Sequence, residues 1–272
     1  MYSKHLIIAL RKFQRNPTTS VINVLGMTLA FLACLFIGGY VYSQLSADHF
    51  HSKKDRIFRV NYDETSAEMP GSRYLATVGP TLGPAMKAGF PEVVNFVRFR
   101  HAGDVMLATG TLEFYERGIY YADPSVFQVF DFPFASGDGL RAFRDAHSIV
   151  LTESAAAKYF GIENPVGQVL TLDGEEAFQV TGVLKDLPAN SHLQFDFLIP
   201  FEAFTVPFGY PVTLETWGWI SFFTYVELKE KASTSELESL LTGLIEKHFP
   251  GDRAKRFVYR LQPLSQIFMD PP

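Results

Sequence analysis

Residues 16–47 read NPTTSVINVLGMTLAFLACLFIGGYVYSQLSA, 32 residues without a single Asp, Glu, Lys, Arg or His. A helix of an aqueous protein keeps a polar, solvent-facing side, and no such helix needs this length free of ionisable groups. The most apolar part, residues 21–42, is 22 residues long. At a rise of about 1.5 Å per residue it covers about 33 Å, the thickness of bilayer hydrocarbon. The stretch is read as a transmembrane helix at 18–45, dividing a short segment at 1–17 from a large domain at 46–272.

The flanks orient the span. Lys4, Arg11, Lys12 and Arg15 precede it and the first acid is Asp48; short basic flanks stay on the cytoplasmic side. The N-terminus is therefore expected in the cytoplasm of a cell whose inner membrane holds the span, with the main domain periplasmic. Of the formal charge of −5, residues 1–47 carry +4 and residues 48–272 carry −9, from 20 bases and 29 acids. An exported domain of that sign has no basic surface for nucleic acid. Before the span, Leu6, Ile7, Leu10 and Phe13 fall near helical spacing among the bases, and Pro17 interrupts. Residues 1–17 read as an amphipathic helix on the cytoplasmic face of the bilayer.

A cleaved signal peptide is the first alternative to a permanent anchor. Signal peptides carry a shorter apolar region and a small-x-small cleavage site, whereas this run ends in Tyr40, Tyr42 and Gln44. Cys34, the single cysteine, follows Leu32 and Ala33 as in a lipoprotein site, but lies in mid-span and reads as a small packing residue. One cysteine excludes an intramolecular disulfide framework, so the exported part folds on its apolar core. Within the span, Gly26, Ala30, Cys34 and Gly38 recur at every fourth residue, where another helix backbone could approach closely. The competing reading is that small residues are common in membrane helices.

The remainder predicts an α+β fold: one N-terminal transmembrane helix, then a mixed α/β extracytoplasmic domain. β-Branched and aromatic runs place strands at 56–62, 93–100, 113–121, 148–151, 168–172, 178–184, 194–199, 221–228 and 257–261. Thr152 is placed to cap a helix through Ala155, Ala156, Ala157 and Tyr159, with Gly161 to stop it. Ser233 with Glu236 forms a capping box ahead of Leu237, Leu240, Leu241, Leu244 and Ile245. A third helix covers 81–88, with Pro84 near its start.

Catalytic signatures are absent from the sequence. It holds no phosphate-binding loop with its Lys and Ser or Thr, no G-x-S-x-G, no H-E-x-x-H and no cysteine cluster. No catalytic residue, metal ligand or cofactor is therefore assigned. Asp48, His49 and His51 have the chemistry of metal ligands but stand where polar linker residues are expected in any case. His192 lies in a Pro, Asn and Ser-rich stretch and reads as a turn residue. Asp173, Glu175 and Glu176 surround Gly174 in a hairpin-like, solvated Asp-Gly turn.

Four phrases in order, DHFHSKKDRIFRV (48–60), GIYYADPSVFQVFDF (118–132), IVLTESAAAKYFGIENPVG (149–167) and FQVTGVLKDLPANSHLQFDFLIP (178–200), resemble the periplasmic core of MacB-type, FtsX-like ABC transporter permeases. The opening at residues 10–17, followed by a Gly-containing span, is similar to the start of such permeases. The resemblance implies a MacB-like periplasmic core of two subdomains, and a permease subunit working with a separate cytoplasmic ABC ATPase and a second permease subunit. ATP-driven motion would pass through the membrane helices to the outer domain, which would move or release an envelope substrate. The segment 48–56, which joins span to domain, is expected to carry the two-state element. Such permeases continue into three more membrane helices, whereas residues 261–272 read LQPLSQIFMDPP; the chain is expected to be a fragment or truncated product of one. The alternative is a membrane-anchored extracytoplasmic binding or sensor domain without transport, with an anchored enzyme third.

Overall fold

Alternating apolar residues and turn chemistry account for most of the architecture seen in the computed structural model, which describes residues 15–66, 69–110, 112–205, 213–249 and 257–268. The amphipathic reading of residues 1–17 falls, up to residue 14, outside the described residues, as do the last four positions of the closing stretch. The chain divides into two units, Met1–Ser46 and Ala47–Pro272.

In the first unit, helix α1 (Pro17–Leu45) runs for 29 residues, about 44 Å at the α-helical rise. Pro17 stands in its first turn, where a missing N–H leaves no bond unmade. The hydroxyl of Thr28 donates to the carbonyl of Val24 at 2.8 Å, so this polar group is satisfied within the helix. None of its residues is buried. By length and composition it is able to cross a membrane.

The second unit is built on one mixed sheet. Its strands are β1 (Ile57–Ser66), β2 (Met69–Leu75), β3 (Thr77–Val78), β4 (Val93–His101), β5 (Val105–Thr109), β6 (Leu112–Glu116), β7 (Ile119–Ala122), β8 (Phe134–Gly137), β9 (Ser148–Thr152), β10 (Val169–Leu172), β11 (Glu176–Leu184), β12 (Phe197–Pro200), β13 (Phe222–Leu228) and β14 (Phe257–Pro263). The path is β14-β1-β13-β4-β7-β12-β9-β11-β10-β5-β6, with β2 added to β1, β3 to β13 and β8 to β11. Pairing is antiparallel except for β12 with β7 and β11 with β9. Where the resemblance implies two subdomains, residues Ala47–Pro272 form one compact unit on a continuous sheet.

Helices cover the sheet where their apolar stripes require it. Helix α2 (Leu82–Gly89) and helix α6 (Thr234–His248) close an apolar cluster over β1, β13 and β14. Leu237, Leu241 and Ile245 of α6 fall at four-residue spacing and are all buried, each contributing about 1.5–3 kcal/mol. Two short turns, α3 (Val126–Val129) and α4 (Gly139–Ala142), lie over a central cluster with Ile57, Phe99 and Tyr225. Helix α5 (Glu153–Phe160) lies at the other end of the sheet. Tyr225 and Val226, neighbours in β13, enter different clusters because successive strand residues face opposite sides.

The expected helix ends are seen. Thr152 Oγ1 accepts from the Ala155 N–H at 3.3 Å, Gly161 closes α5 at φ 59°, and Ser233 Oγ accepts from the Glu236 N–H at 3.4 Å. Two strand expectations are corrected. Residues 113–121 form two strands rather than one, because 112–116 pair with β5 whereas 119–122 pair with β12 and β4. At the join the carbonyl of Gly118 accepts from the N–H groups of Asp196 and Phe197, at 2.8 and 3.0 Å, and a Cβ at Gly118 would stand 2.6 Å from Asp196 Oδ2. The strand expected at 194–199 begins only at Phe197. Strands β2, β3, β5 and β8 carry no strong alternation and were not expected.

Candidate functional site

The chain that follows the apolar helix is bound down rather than solvated. Asp48 is 1% exposed and adopts φ 56°, in the left-handed region that Asp tolerates better than most residues. Its N–H donates to the carbonyl of Asn190 at 3.3 Å. Its carboxylate accepts from Ser191 Oγ at 2.9 Å, from the His192 N–H at 3.2 Å and from His192 Nδ1 at 2.8 Å. Burial pushes the Asp48 carboxyl up, but the hydrogen bond and electrostatic pull of His192, with the Ser191 hydroxyl, outweigh it and hold the group below its ordinary value.

The chain of bonds continues. His192 Nε2 lies 2.8 Å from the Tyr225 hydroxyl. With Nδ1–H directed at the carboxylate, the hydrogen-bond network assigns Nε2 as acceptor from the tyrosine O–H. Burial pushes the Tyr225 hydroxyl up, so it stays protonated as that donor. Across the strand pairing, Tyr225 stands opposite Arg59, which in turn stands opposite Gln262. A continuous series thus runs Asp48, His192, Tyr225, Arg59.

A second staple holds residues 51–56. His51 is buried and its Nδ1 accepts from the Asp131 N–H at 3.0 Å. The rings of Phe50, Phe130 and Phe132 pack around it. Desolvation pushes the imidazole down to about 4, so it is neutral near pH 7, and among the described residues its Nε2 finds no hydrogen-bond partner in that apolar surround. The Asp131 carboxylate accepts from the backbone N–H and the hydroxyl of Ser52, at 2.5 and 2.8 Å. Lys53 and Arg56 pair with Glu227 at 3.1 and 3.4 Å.

This arrangement fixes a conformation and activates no nucleophile. Ser191 directs its hydroxyl at Asp48 and not at the imidazole, and the remaining imidazole nitrogen faces a tyrosine, so the Ser, His and Asp do not form a catalytic relay. The metal reading of Asp48, His49 and His51 is not favoured by the geometry. His49 is exposed, and among the described residues no group of three or more His, Cys, Asp or Glu is placed to hold an ion.

The sequence reading of Asp48 and His51 as polar linker residues is corrected. Both are buried, because the domain supplies donors for one and an aromatic box for the other. His192 directly follows the turn that the Ser191 N–H closes on the Pro188 carbonyl at 2.9 Å, and is the partner of Asp48. Asp173, at φ 48°, is an exposed turn residue whose carboxylate accepts from the Met106 N–H at 2.9 Å, tying the β10–β11 turn to β5. Arg59 and Tyr225 were missed. A signal for Arg59 was legible: Arg59 and Asn61 alternate with Phe58, Val60 and Tyr62 at the start of a strand, placing two polar residues on one face. Gly26, Ala30, Cys34 and Gly38 all lie exposed on α1, and a Cβ at Gly26 or Gly38 would meet nothing within 4 Å. Four-residue steps turn the stripe by about 40° each, so it winds gradually around the helix.

The profile of a family described as the MacB-like periplasmic core domain matches residues 20–244. Among solved structures, a domain of a Porphyromonas gingivalis protein described as a permease is 25% identical, with TM-score 0.66, over 78% of this chain and 91% of that one. The periplasmic region of MacB from Actinobacillus actinomycetemcomitans shares the fold at 15% identity and TM-score 0.54, over 79% and 91% of the two chains. The extracellular domain of the noncanonic ABC-type transporter YknZ from Gram-positive bacteria does so at 14% identity and TM-score 0.54, over 76% and 99%. No curated protein sequence matches the chain.

Proposed function

Because the chain belongs to the MacB-like periplasmic core domain family, a family of transporter permease components, we propose that it acts as a permease subunit, or the N-terminal part of one, in an ABC transporter. Residues 1–17 lie on the cytoplasmic surface, 18–45 cross the inner membrane and 46–272 form the periplasmic domain, as the basic flank and acidic remainder favour. A separate cytoplasmic ATPase supplies the energy, and a second permease subunit completes a dimer. The chain itself carries no nucleotide chemistry. Gly26, Ala30, Cys34 and Gly38 form the contact face for other membrane helices in the bilayer.

The observation that carries this reading is the burial of Asp48, two residues beyond α1 and its flanking Ser46. The segment that opens the domain is pinned to the rest of it through Asp48, His51, Ser52, Lys53 and Arg56. A rigid start of the domain suits the transmission of helix motion into the sheet, and so the export or release of an envelope substrate. Purification of the tagged chain from its native membranes tests the assignment: a P-loop ATPase should accompany it in stoichiometric amount. A reporter fused after Pro272 should be active only outside the cytoplasm. Loss of the ATPase from a properly exported chain would leave an anchored binding domain as the function, and a cytoplasmic reporter would overturn the topology.

A further inference from the structure

Arg59 is 5% exposed, yet its bonded partners are neutral: Nε donates to Asn61 Oδ1 at 3.0 Å and Nη2 to Gln262 Oε1 at 2.8 Å. Its cross-strand neighbour on the other side is the Tyr225 hydroxyl. Among the described residues no carboxylate forms an ion pair with it. Buried guanidinium groups are ordinarily neutralised, because desolvating an unpaired charge is costly. This domain follows that rule at the largely buried Arg98, which pairs with Asp123 at 2.7 Å. The exception at Arg59 coincides with a cavity of about 490 Å³ on whose wall it lies, together with His192, Gln194, Ala189, Ile267 and Phe268.

The geometry points to this cavity as a binding site for a small organic carboxylate with an apolar body. Arg59 supplies the positive charge that takes the carboxylate, through guanidinium N–H groups beyond those given to Asn61 and Gln262, in a charge-assisted hydrogen bond. Ile267 and Phe268 receive the apolar body, and the volume is that of an ordinary small-molecule site. The same guanidinium stands at one end of the series Tyr225, His192, Asp48. An anion on Arg59 therefore acts, through two hydrogen-bonded side chains, on the carboxylate that pins the start of the domain. The site does not depend on the transport reading.

Titration calorimetry on the full chain in neutral detergent, blanked against detergent alone, tests the site with benzoate, its neutral counterpart benzamide and inorganic phosphate. Benzoate should bind saturably, and at least about tenfold more strongly than benzamide or phosphate, the difference expected of one charge-assisted pair. Arg59→Met should abolish binding. Should that variant fail to fold, Ala189→Trp, at an exposed position outside the polar network, fills the mouth of the cavity and should abolish binding with Arg59 intact. Equal binding of benzoate and benzamide, phosphate bound as strongly as benzoate, no saturable binding at all, or benzoate binding unchanged in Ala189→Trp would overturn the assignment. For the relay, benzoate should shift the ring resonances of His192 in the parent chain. In Tyr225→Phe, which keeps the ring and removes the hydroxyl, binding should persist and the shift should vanish; a shift that survives would overturn the coupling.

Discussion

Replacing Asp48 by alanine removes the acceptor of three hydrogen bonds, from Ser191 Oγ, the His192 N–H and His192 Nδ1. The stranded donors each cost about 1–3 kcal/mol in a site closed to water. Placing alanine at φ 56° adds about 1–2 kcal/mol, because its Cβ crowds the following carbonyl without a polar side chain to compensate. Since the bonds share one carboxylate and are not independent, about 4 kcal/mol in total is the expected loss. For a domain of this size each kcal/mol moves the midpoint by about 2–4 °C. Asp48→Ala should therefore melt about 8–16 °C below the parent chain, followed by near-ultraviolet circular dichroism of the full chain in detergent. Asp48→Asn keeps an acceptor oxygen and the tolerance for positive φ, so it should lose only about 1–2 kcal/mol. The carboxyl lies below its ordinary 3.8 when folded, so the unfolded state takes up the proton first. Its stabilisation is full above that value and is lost as pH falls through the lowered folded one. A melt of Asp48→Ala within about 2 °C of the parent, or Asn as damaging as Ala, would refute the account of this residue.

His51 titrates near 4 when folded against 6.5 in a free chain; between those values the unfolded state binds more protons, so stability should fall as pH drops from about 6.5 to 4. His51→Asn, which retains an acceptor for the Asp131 N–H, should flatten that part of the melting profile, and an unchanged slope would show that another group is responsible. Gly118→Ala should destabilise the domain by about 1–3 kcal/mol in a denaturant titration, because the new Cβ meets Asp196 Oδ2 and the Asp196 backbone nitrogen at 2.6 and 3.0 Å. In the membrane, Gly26→Leu or Gly38→Leu should reduce co-purification of partner subunits while Leu29→Ile does not; equal recovery from all three would show the stripe to be composition only.

Local chemistry was legible wherever it is written in neighbouring residues. The caps at Thr152 and Ser233 and the stripe of α6 require only positions three or four apart. Most strands followed from alternation, and β2, β3, β5 and β8 escaped because they owe their extension to a pairing partner and not to a pattern in their own residues. The candidate site was half legible. Asp48, His51 and His192 stood out as groups able to do chemistry, but their environment did not, since burial is a property of what packs above them.

By itself the sequence determined an apolar helix of membrane-spanning length, a mixed α and β domain after it, an acidic balance and the absence of the familiar catalytic signatures. All of these depend on composition or on spacings of a few residues. Tertiary structure decided which strands are neighbours, that Asp48 meets a histidine 144 positions away, that Tyr225 stands opposite Arg59 across β1 and β13, and that the Arg59 guanidinium borders a cavity with no carboxylate among the described residues paired to it. The physical reason is that hydrogen bonds and desolvation act over a few ångströms in space, and only the closing of the sheet brings such distant residues within that range.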